Sequence, residues 1–301
     1  MYNDYTMILG GRCVNLADYG QLERILKSAG ITLKKSLGQN FLIDGSVCPA
    51  MASAACDKQT GALEIGPGAG VLTRELASEA RRVVAIELDE RLAPVLQKTL
   101  ADKDNAEVVF GDAMKMDLGK LIAEKFADCE RVVVCANLPY YITSPIIMTL
   151  LESRLPIDEI VVMVQKEAAE RLCARVGSRQ AGAVSVAVSY YAEPEILFEV
   201  GRESFMPPPK VDSAVIRLKI RKEPLCKLLD EKKFFRFVAA CFAERRKTLV
   251  NTVSSSMGTD KTLLREALSG AGLEATVRSE ALTMEELATV FNYILKEEKN
   301  G

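Results

Sequence analysis

Five short apolar runs, separated by helical stretches, constrain the fold of this 301-residue chain more than any other feature. They span residues 62–65, 82–88, 106–111, 131–137 and 159–165. Nearly continuous hydrophobic strands that alternate with helices are typical of a parallel sheet covered on both faces. The sequence therefore predicts an α/β fold with a doubly wound sheet.

The regions on either side of these runs have different patterns. Residues 16–29 carry apolar side chains at helical spacing, which predicts an amphipathic helix. Segments 193–200 and 213–220 are strand-like, and the connection between them is too short for a crossover helix. We therefore expect these two segments to pair antiparallel at the edge of the sheet.

Beyond Pro224 the pattern is wholly helical, and residues 232–253 form the first helical segment there. This change of pattern predicts two domains. The first covers residues 1–221, with an N-terminal helical extension over about residues 1–33, and the second is a small helical domain over residues 222–301.

The distribution of charge is more informative than its sum. The formal net charge of −2 does not favour a purely electrostatic nucleic-acid binder. Between Phe205 and Val250, however, twelve basic and five acidic residues give a local balance of +7. A solvated helix face is the usual meaning of such a cluster, but its contrast with the nearly neutral chain favours an RNA-binding surface.

Histidine is absent, and the eight cysteines contain no Cys-x-x-Cys pair. We therefore expect no metal site and no disulfide framework, and catalysis by a Ser-His or Cys-His arrangement is excluded. No apolar stretch approaches the roughly 18 residues of a membrane span, and the first residues do not resemble a signal peptide. Reduced thiols then predict a cytoplasmic protein.

A glycine-rich turn follows the first predicted strand, in "LEIGPGAGVLTREL" at residues 63–76. Gly66, Gly68 and Gly70 allow tight turning and close approach to a ligand where doubly wound sheets bind cofactors. Val71 stands where a dinucleotide fingerprint has glycine or alanine, which disfavours a nicotinamide or flavin site. Taken alone, the motif is as compatible with an ordinary turn as with a binding site.

Acidic residues follow the next two strands. Glu87 lies 21 residues after Gly66, the place where an acidic side chain meets ribose hydroxyls in nucleoside cofactors. Asp112 follows the third strand and has two interpretations, an acceptor for an adenine amino group or a helix N-cap. Three such strand ends resemble the cofactor site of class I methyltransferases, which bind S-adenosylmethionine.

The fourth strand ends in "NLPY", which resembles the signature of enzymes that methylate amino nitrogens on planar substrates. An exocyclic amine is a poor nucleophile, so acceptors must hold it and draw charge from its protons. The side-chain oxygen of Asn137 and the carbonyl of Leu138 would supply these acceptors, on a turn enforced by Pro139. Tyr140 would stack on the base, a contact worth roughly 1–3 kcal/mol.

Five stretches together resemble the ribosomal RNA small-subunit adenine dimethyltransferase family, over about residues 20–295. They are "KKSLGQNFLID" (34–44), "NLPYYITSPI" (137–146), "VQKEAAERL" (164–172), "FMPPPKVDSAVIRL" (205–218) and "CFAERRKTLVNTV" (241–253). The resemblance implies dimethylation of the exocyclic amine of two adjacent adenosines in the hairpin loop near the 3′ end of small-subunit ribosomal RNA. The partner is then that RNA or an assembling small subunit. We expect the protein to be a monomer that binds neither a membrane nor a metal ion.

The resemblance also implies roles for individual residues. The implied cofactor set is Asn40, Leu42, Gly66, Gly68, Glu87, Leu88, Asp112, Ala113 and Asn137. The implied catalytic set is Asn137, Leu138, Pro139, Tyr140 and Phe205. The implied RNA-binding set is Lys34, Lys35, Lys210, Arg245, Arg246 and Lys247. From the residues alone Phe205 is equally compatible with a core position, although its adjacency to three prolines favours a ring held on a loop opposite Tyr140.

Three other functions compete with this interpretation. One is the related large-subunit ribosomal RNA adenine methyltransferase of the antibiotic-resistance type, against which "PPPKVDSAV" and "ERRKTL" argue. Another is a non-catalytic ribosome assembly factor on the same fold, and the intact cofactor and NLPY motifs favour catalysis over it. A DNA adenine methyltransferase is the third, and the rest of the chain shows no separate sequence-reading domain for it.

Overall fold

The computed structural model describes residues 6–9, 12–16, 18–31, 41–138 and 140–300. Its contacts divide the chain into two compact units. The first comprises Met1–Ala169 and Glu195–Ile220, and the second comprises Glu170–Pro194 and Arg221–Gly301. This division differs from the predicted domain boundary in one segment, since Glu170–Pro194 belongs with the C-terminal helices.

A seven-stranded sheet dominates the first unit, with strand order β6-β5-β4-β7-β8-β11-β9 among the described residues. Its strands are β4 (Thr60–Ile65), β5 (Arg82–Glu87), β6 (Ala106–Phe110), β7 (Arg131–Asn137), β8 (Glu159–Gln165), β9 (Ala192–Val200) and β11 (Ser213–Ile220). The five strands from β4 to β8 are parallel, whereas β11 runs antiparallel to β8 with Ser213 opposite Gln165. The predicted doubly wound α/β fold is confirmed, and β9 and β11 lie side by side at the edge.

Two further strand pairs were absent from the sequence-based prediction. β1 (Thr6–Leu9) and β2 (Arg12–Asn15) form an antiparallel hairpin, so the prediction of a helical extension over about residues 1–33 is wrong at these residues. β3 (Phe41–Leu42) pairs antiparallel with β10 (Phe205–Met206). The second pair joins segments that are distant in the chain, so periodicity within one segment gives no signal for it.

The described helices alternate with the strands in the first unit and follow one another in the second. They are α1 (Tyr19–Ser28), α2 (Val47–Ala55), α3 (Val71–Glu79), α4 (Ala93–Thr99), α5 (Leu118–Lys125), α6 (Tyr140–Glu152), α7 (Lys166–Leu172), α8 (Ala183–Tyr191), α9 (Glu231–Cys241), α10 (Leu249–Met257), α11 (Lys261–Gly270) and α12 (Met284–Asn300). In the part of the chain that the structure describes, no helix has both the length and the apolar composition needed to cross a membrane.

The helix predicted from residues 16–29 is α1. It buries Leu22, Ile25 and Leu26, which lie on one face because they are three and four residues apart. The Asp18 carboxylate caps its first turn by accepting from Gln21 N at 2.9 Å. Together with side chains of α4, this face forms one of the apolar clusters of the first unit.

Arg74 connects α3 to the segment that follows α4. Its guanidinium is 2% exposed, and it donates to both carboxylate oxygens of Asp102, at 2.5 and 2.9 Å. It also donates to the Thr99 carbonyl at 2.5 Å. Because a buried guanidinium needs such partners, the position of α3 depends on this pairing.

Aromatic packing holds the second unit together. The Tyr190 and Tyr191 rings, at the end of α8, lie 5.4 and 5.5 Å from the Phe235 ring of α9, between ring centroids. Their hydroxyls donate to the Glu231 carboxylate at 3.2 and 2.6 Å. These contacts explain why residues before Pro194 belong with the helices after residue 221.

The helical segment predicted over residues 232–253 is interrupted, so this prediction is wrong in its middle. α9 ends at Cys241, and α10 begins only after Thr248. Thr248 accepts from Asn251 N at 3.4 Å and is therefore the N-cap of a new helix. Before it, Lys247 N donates to the Glu244 carbonyl at 3.0 Å, which closes a turn.

Candidate active site

A cavity of about 600 Å³ lies at the carboxyl ends of the parallel strands in the first unit. Doubly wound sheets bind their ligands at this edge. Every described member of the predicted catalytic and cofactor sets lines the cavity: Leu42, Gly66, Gly68, Glu87, Leu88, Asp112, Ala113, Asn137, Leu138, Tyr140 and Phe205. The other two members, Asn40 and Pro139, lie outside the described residues.

The glycine loop has a backbone that side-chain-bearing residues rarely adopt. Gly66 and Gly70 have φ angles of +74° and +85°, in the left-handed region. A Cβ at Gly66 would lie 3.6 Å from Leu138 Cδ2, an ordinary contact, so the positive φ and not a lack of space favours glycine at this position. Gly70 then precedes α3, and the cavity consequently borders a helix N-terminus, which favours negatively polarised groups.

Glu87 ends β5 and supports this loop. Its carboxylate accepts from Gly68 N at 3.0 Å and from Asp89 N at 2.9 Å. Burial raises the pKa of Glu87, and these two backbone N–H groups act in the opposite direction. A carboxylate offers about four acceptor positions, so Glu87 retains capacity for ligand hydroxyls.

Glu64 is a site residue that the motif analysis did not identify. It lies on β4, two residues before Gly66, is 1% exposed and lines the cavity. Its Oε2 has no hydrogen-bond partner among the described residues. Burial is the main reason that the pKa of Glu64 is raised to about 8. The nearby Thr73 hydroxyl lowers this pKa, and the Glu87 carboxylate raises it.

Asp112 is fixed by the turn that follows β6. Its Oδ1 accepts from Met114 N at 3.0 Å, and its Oδ2 lies 3.2 Å from Lys115 Nζ. The Met114 N–H, and then Lys115, lower the pKa of the Asp112 carboxyl. The residue therefore caps a turn and faces the cavity as a carboxylate. It is not a helix N-cap, because the N-cap of α5 is Asp117, and its role as an acceptor for an adenine amino group stays a prediction.

The NLPY segment joins β7 to α6. Asn137 is the last residue of β7, Leu138 is 4% exposed, and Tyr140 is the first residue of α6. The Tyr140 hydroxyl lies 2.7 Å from Ser213 Oγ on β11, and burial raises the pKa of the phenol. The tyrosine ring is thus held in place at the cavity by a strand 73 residues away in the chain.

Phe205 does not lie on a loop, so that expectation is corrected. It belongs to β10, opposite Leu42 of β3, and is 2% exposed. Backbone pairing and packing against the apolar cluster under the sheet fix it more firmly than neighbouring prolines would. Its ring lines the cavity from within the core, and its stacking on a base stays a prediction.

Comparison with known proteins identifies the family. A family model described as ribosomal RNA adenine dimethylase matches residues 30–296. The chain belongs to the ribosomal RNA adenine dimethylase family. The resemblance stated from the sequence motifs is therefore confirmed.

Individual members of this family show how far the similarity extends. The chain is 46% identical over 285 residues to ribosomal RNA small subunit methyltransferase A of Geobacillus thermodenitrificans, covering 93% of this chain and 97% of that protein. It is 44% identical over 278 residues to the protein of the same description from Bacillus pumilus, covering 91% and 95%. Both relatives are matched over nearly their whole length, so the similarity includes both structural units.

Two solved structures share the fold. A dimethyladenosine transferase from Plasmodium falciparum is 27% identical, with a TM-score of 0.67, over 84% of this chain and 96% of that one. The 23S rRNA methyltransferase ErmE is 29% identical, with a TM-score of 0.64, over 85% and 99%. The predicted class I methyltransferase fold with a C-terminal helical region is confirmed for this adenine dimethylase family member.

The cavity of this family member also includes residues to which the sequence analysis gave no role. They include Leu22, Cys48, Asp89, Met114, Ile142 and Ile146. Leu22 belongs to α1, so the N-terminal helix contributes to the cavity wall. Their spacing in the chain carries no signal for this, because several separate elements bring them together.

The predicted RNA-binding residues lie elsewhere. Lys34 and Lys35 are outside the described residues, and Lys210 is exposed but does not line the cavity. In the second unit, Arg245 and Arg246 are exposed in the turn between α9 and α10, inside the segment that was predicted to be one continuous helix. Lys247 beside them pairs with Glu244, with 2.8 Å between Nζ and Oε2.

In the ranges that the structure describes, no cluster of three or more His, Cys, Asp or Glu side chains is arranged to hold a metal ion.

Proposed function

We propose that this chain dimethylates the exocyclic amine of two adjacent adenosines in the 3′-terminal hairpin loop of small-subunit ribosomal RNA, with S-adenosylmethionine as methyl donor, during small-subunit biogenesis. The observation that carries the proposal is one cavity that joins the glycine loop, the acidic strand ends and the NLPY segment. Family membership and the small-subunit descriptions of relatives at 44–46% identity support the same substrate.

The described residues fit S-adenosylmethionine. A volume of about 600 Å³ lies within the range of roughly 300–1,000 Å³ that is usual for small-molecule sites. Glu87 has acceptor positions left for ribose hydroxyls, and Asp112 faces the cavity for a base amino group. The Glu64 Oε2, which has no hydrogen-bond partner among the described residues, gives the cavity a further polar group for a ligand. When bound, this cofactor supplies a methyl group on a positively charged sulfur.

The chain's own residues would then position the amine. The Asn137 side-chain oxygen and the Leu138 carbonyl would accept from its two N–H groups, and the Tyr140 ring, held through Ser213, would stack on the base. No strong base is required, because the amine proton becomes acidic once the nitrogen carries the methyl group. The residues therefore act by alignment, which suits a chain without histidine.

A large-subunit methyltransferase is the second candidate, because the ErmE structure is about as similar as the dimethyladenosine transferase. The higher identity of the small-subunit relatives favours the first candidate. Intact glycine, acidic and NLPY motifs favour catalysis over a purely binding assembly factor. The monomeric state and a place in the cytoplasm stay predictions.

The test is methyl transfer from radiolabelled S-adenosylmethionine to small ribosomal subunits that lack these modifications, with large subunits in parallel. We expect dimethyladenosine only in the small-subunit RNA. Asn137→Ala should lower the rate on the order of 10²–10³-fold, by analogy with removal of one polarising group from other active sites. Its melting temperature should stay within a few degrees of wild type.

Three outcomes would contradict the proposal or its mechanism. Label in large-subunit RNA would favour the second candidate. Binding of small subunits without any label would favour the assembly factor. Wild-type turnover by Asn137→Ala would refute the role of the NLPY segment.

A further inference from the structure

Glu64 is a buried carboxyl group that has no step in the proposed reaction. Its side chain is 1% exposed, and its Oε2 has no hydrogen-bond partner among the described residues. It nevertheless lines the cavity that would hold the cofactor. A buried polar atom without a partner is costly in free energy, and folded proteins contain few of them. The position therefore indicates a partner that a ligand supplies.

The groups that surround Glu64 come from four elements. Burial is the main influence on its pKa; the Thr73 hydroxyl on α3 lowers this pKa, and the Glu87 carboxylate on β5 raises it. Cys135, beside Glu64 on β7, is a neutral thiol because burial raises its pKa well above the ordinary value. Cys48 on α2 lines the same cavity. None of these groups is a cation, so the Glu64 carboxyl keeps its proton at neutral pH until a ligand binds.

The strand order places Glu64 between two parts of the proposed reaction. In the sheet, β4 lies between β5, which ends at Glu87, and β7, which ends at Asn137. The proposed function assigns the ribose to Glu87 and the accepting amine to Asn137. In-line transfer requires the sulfur, with its methyl group, to lie between these two. The sulfonium would then lie at the end of β4, the strand that carries Glu64.

A positively charged sulfur changes the ionisation of a neighbouring carboxyl group. An opposite charge within about 4–6 Å favours the carboxylate, and the effect is larger where water is excluded. After transfer the sulfur belongs to a neutral thioether, so this stabilisation of the carboxylate ends. The carboxyl group of Glu64 can therefore respond to the difference between the methyl donor and its product.

We propose that Glu64 releases its proton when S-adenosylmethionine binds and takes up a proton again after the methyl group has left. This inference rests on the proposed function, because it assumes that S-adenosylmethionine is the cofactor. Binding sends one proton from the Glu64 carboxyl to solvent. During transfer the electrons of the carbon–sulfur bond stay on sulfur, and the amine nitrogen bonds the methyl carbon and loses one proton. Glu64 then takes up one proton, so a full turnover releases one proton.

The test is calorimetric titration of the full-length protein, without RNA, with S-adenosylmethionine and separately with S-adenosylhomocysteine. Comparing binding enthalpies at pH 7 in two buffers of different ionisation enthalpy gives the number of protons released. Both ligands carry an α-amino group that can titrate, so the quantity to follow is wild type minus Glu64→Gln. This difference should be roughly 0.9 proton for S-adenosylmethionine, since a carboxyl with a pKa of about 8 is mostly protonated at pH 7. For S-adenosylhomocysteine it should be close to zero.

The same proton should appear in the pH dependence of affinity. Between pH 6 and 7 the wild-type affinity for S-adenosylmethionine, relative to that of Glu64→Gln, should rise about tenfold, because the form that binds has lost one proton. The corresponding ratio for S-adenosylhomocysteine should stay constant. Glu64→Asp keeps a carboxyl group and should release more protons than Glu64→Gln. Glu124→Gln, at an exposed position of α5 outside the cavity lining, is the matched control and should behave as wild type.

The outcomes distinguish this inference from the function on which it rests. Equal proton release by wild type and Glu64→Gln on binding S-adenosylmethionine would overturn the role of Glu64 and leave the proposed function standing. Equal Glu64-dependent release with both ligands would overturn the assignment to the sulfonium, because the ammonium group of the methionine moiety is common to both. Failure of the wild type to bind S-adenosylmethionine would overturn this inference and the proposed function together.

Discussion

Glu64→Gln should stabilise the protein at neutral and alkaline pH. Burial raises the pKa of Glu64 from an ordinary 4.5 to about 8. Between these values the folded protein keeps a proton that the unfolded chain has lost, so the free energy of unfolding falls as pH rises through this window. Each pH unit within this window lowers the free energy of unfolding by about 1.4 kcal/mol, so the loss at pH 7 is on the order of 3 kcal/mol. Glutamine cannot ionise, so the variant should not lose this stability.

The assay is urea unfolding of wild type and Glu64→Gln at pH 5, 6, 7 and 8, without added cofactor. The quantity to follow is the difference in unfolding free energy, variant minus wild type, because other titrating groups cancel in it. This difference should grow by about 1.4 kcal/mol per pH unit. In the control Glu90→Gln, at an exposed position, it should stay flat.

A difference for Glu64→Gln that does not change with pH would refute this reasoning. It would mean that Glu64 is ionised in the folded protein, with partners that the cavity geometry does not reveal. If the slope is found, Glu64 is an acid that lowers stability at the edge of a binding cavity, which is typical of a functional position.

Two further predictions concern the framework of the first unit. Asp102→Ala should lower the free energy of unfolding, measured by urea titration, by about 3 kcal/mol, because Arg74 is left buried without its carboxylate partner. The control Asp104→Ala, at an exposed position nearby, should change it by less than about 0.5 kcal/mol. Gly70→Ala should lower the free energy of unfolding by about 2 kcal/mol or more, since its φ is +85° and a Cβ would lie 3.0 Å from the nearest side chain. Gly68→Ala, with φ +58° and open space around the Cβ, should lower it by about 1 kcal/mol. Equal losses of stability in thermal unfolding would contradict this steric argument.

The sequence predicted the parallel sheet because its signal is local. Each strand is a short apolar run, and each lies between helices, so order and direction follow from simple rules. The N-terminal hairpin also had a local signal, the Gly10-Gly11 pair between two short apolar segments, which the strand prediction did not use. Local patterns thus account for the main elements of the first unit.

Features that depend on distant residues could not be predicted. The contact between Tyr140 and Ser213, and the burial of Phe205 against β3, each require the folded sheet. Glu64 is recognisable as buried from its strand, but nothing in its neighbours indicates that it faces the same cavity as Glu87. The sequence did not predict the interruption of the helix after Cys241, because a single threonine within a helical pattern was not considered as an N-cap.

The pairing of β3 with β10 sets an order of events for the folding of this chain during its translation. Leu42 lies opposite Phe205, Ile43 N donates to the Ser204 carbonyl at 2.8 Å, and both Leu42 and Phe205 line the cavity at the carboxyl ends of the strands. At roughly 5–20 residues per second, translation from Leu42 to Phe205 takes on the order of 10–30 s. The nascent chain therefore carries Leu42 and the glycine loop for many seconds before Phe205 is synthesised and can complete this wall of the cavity.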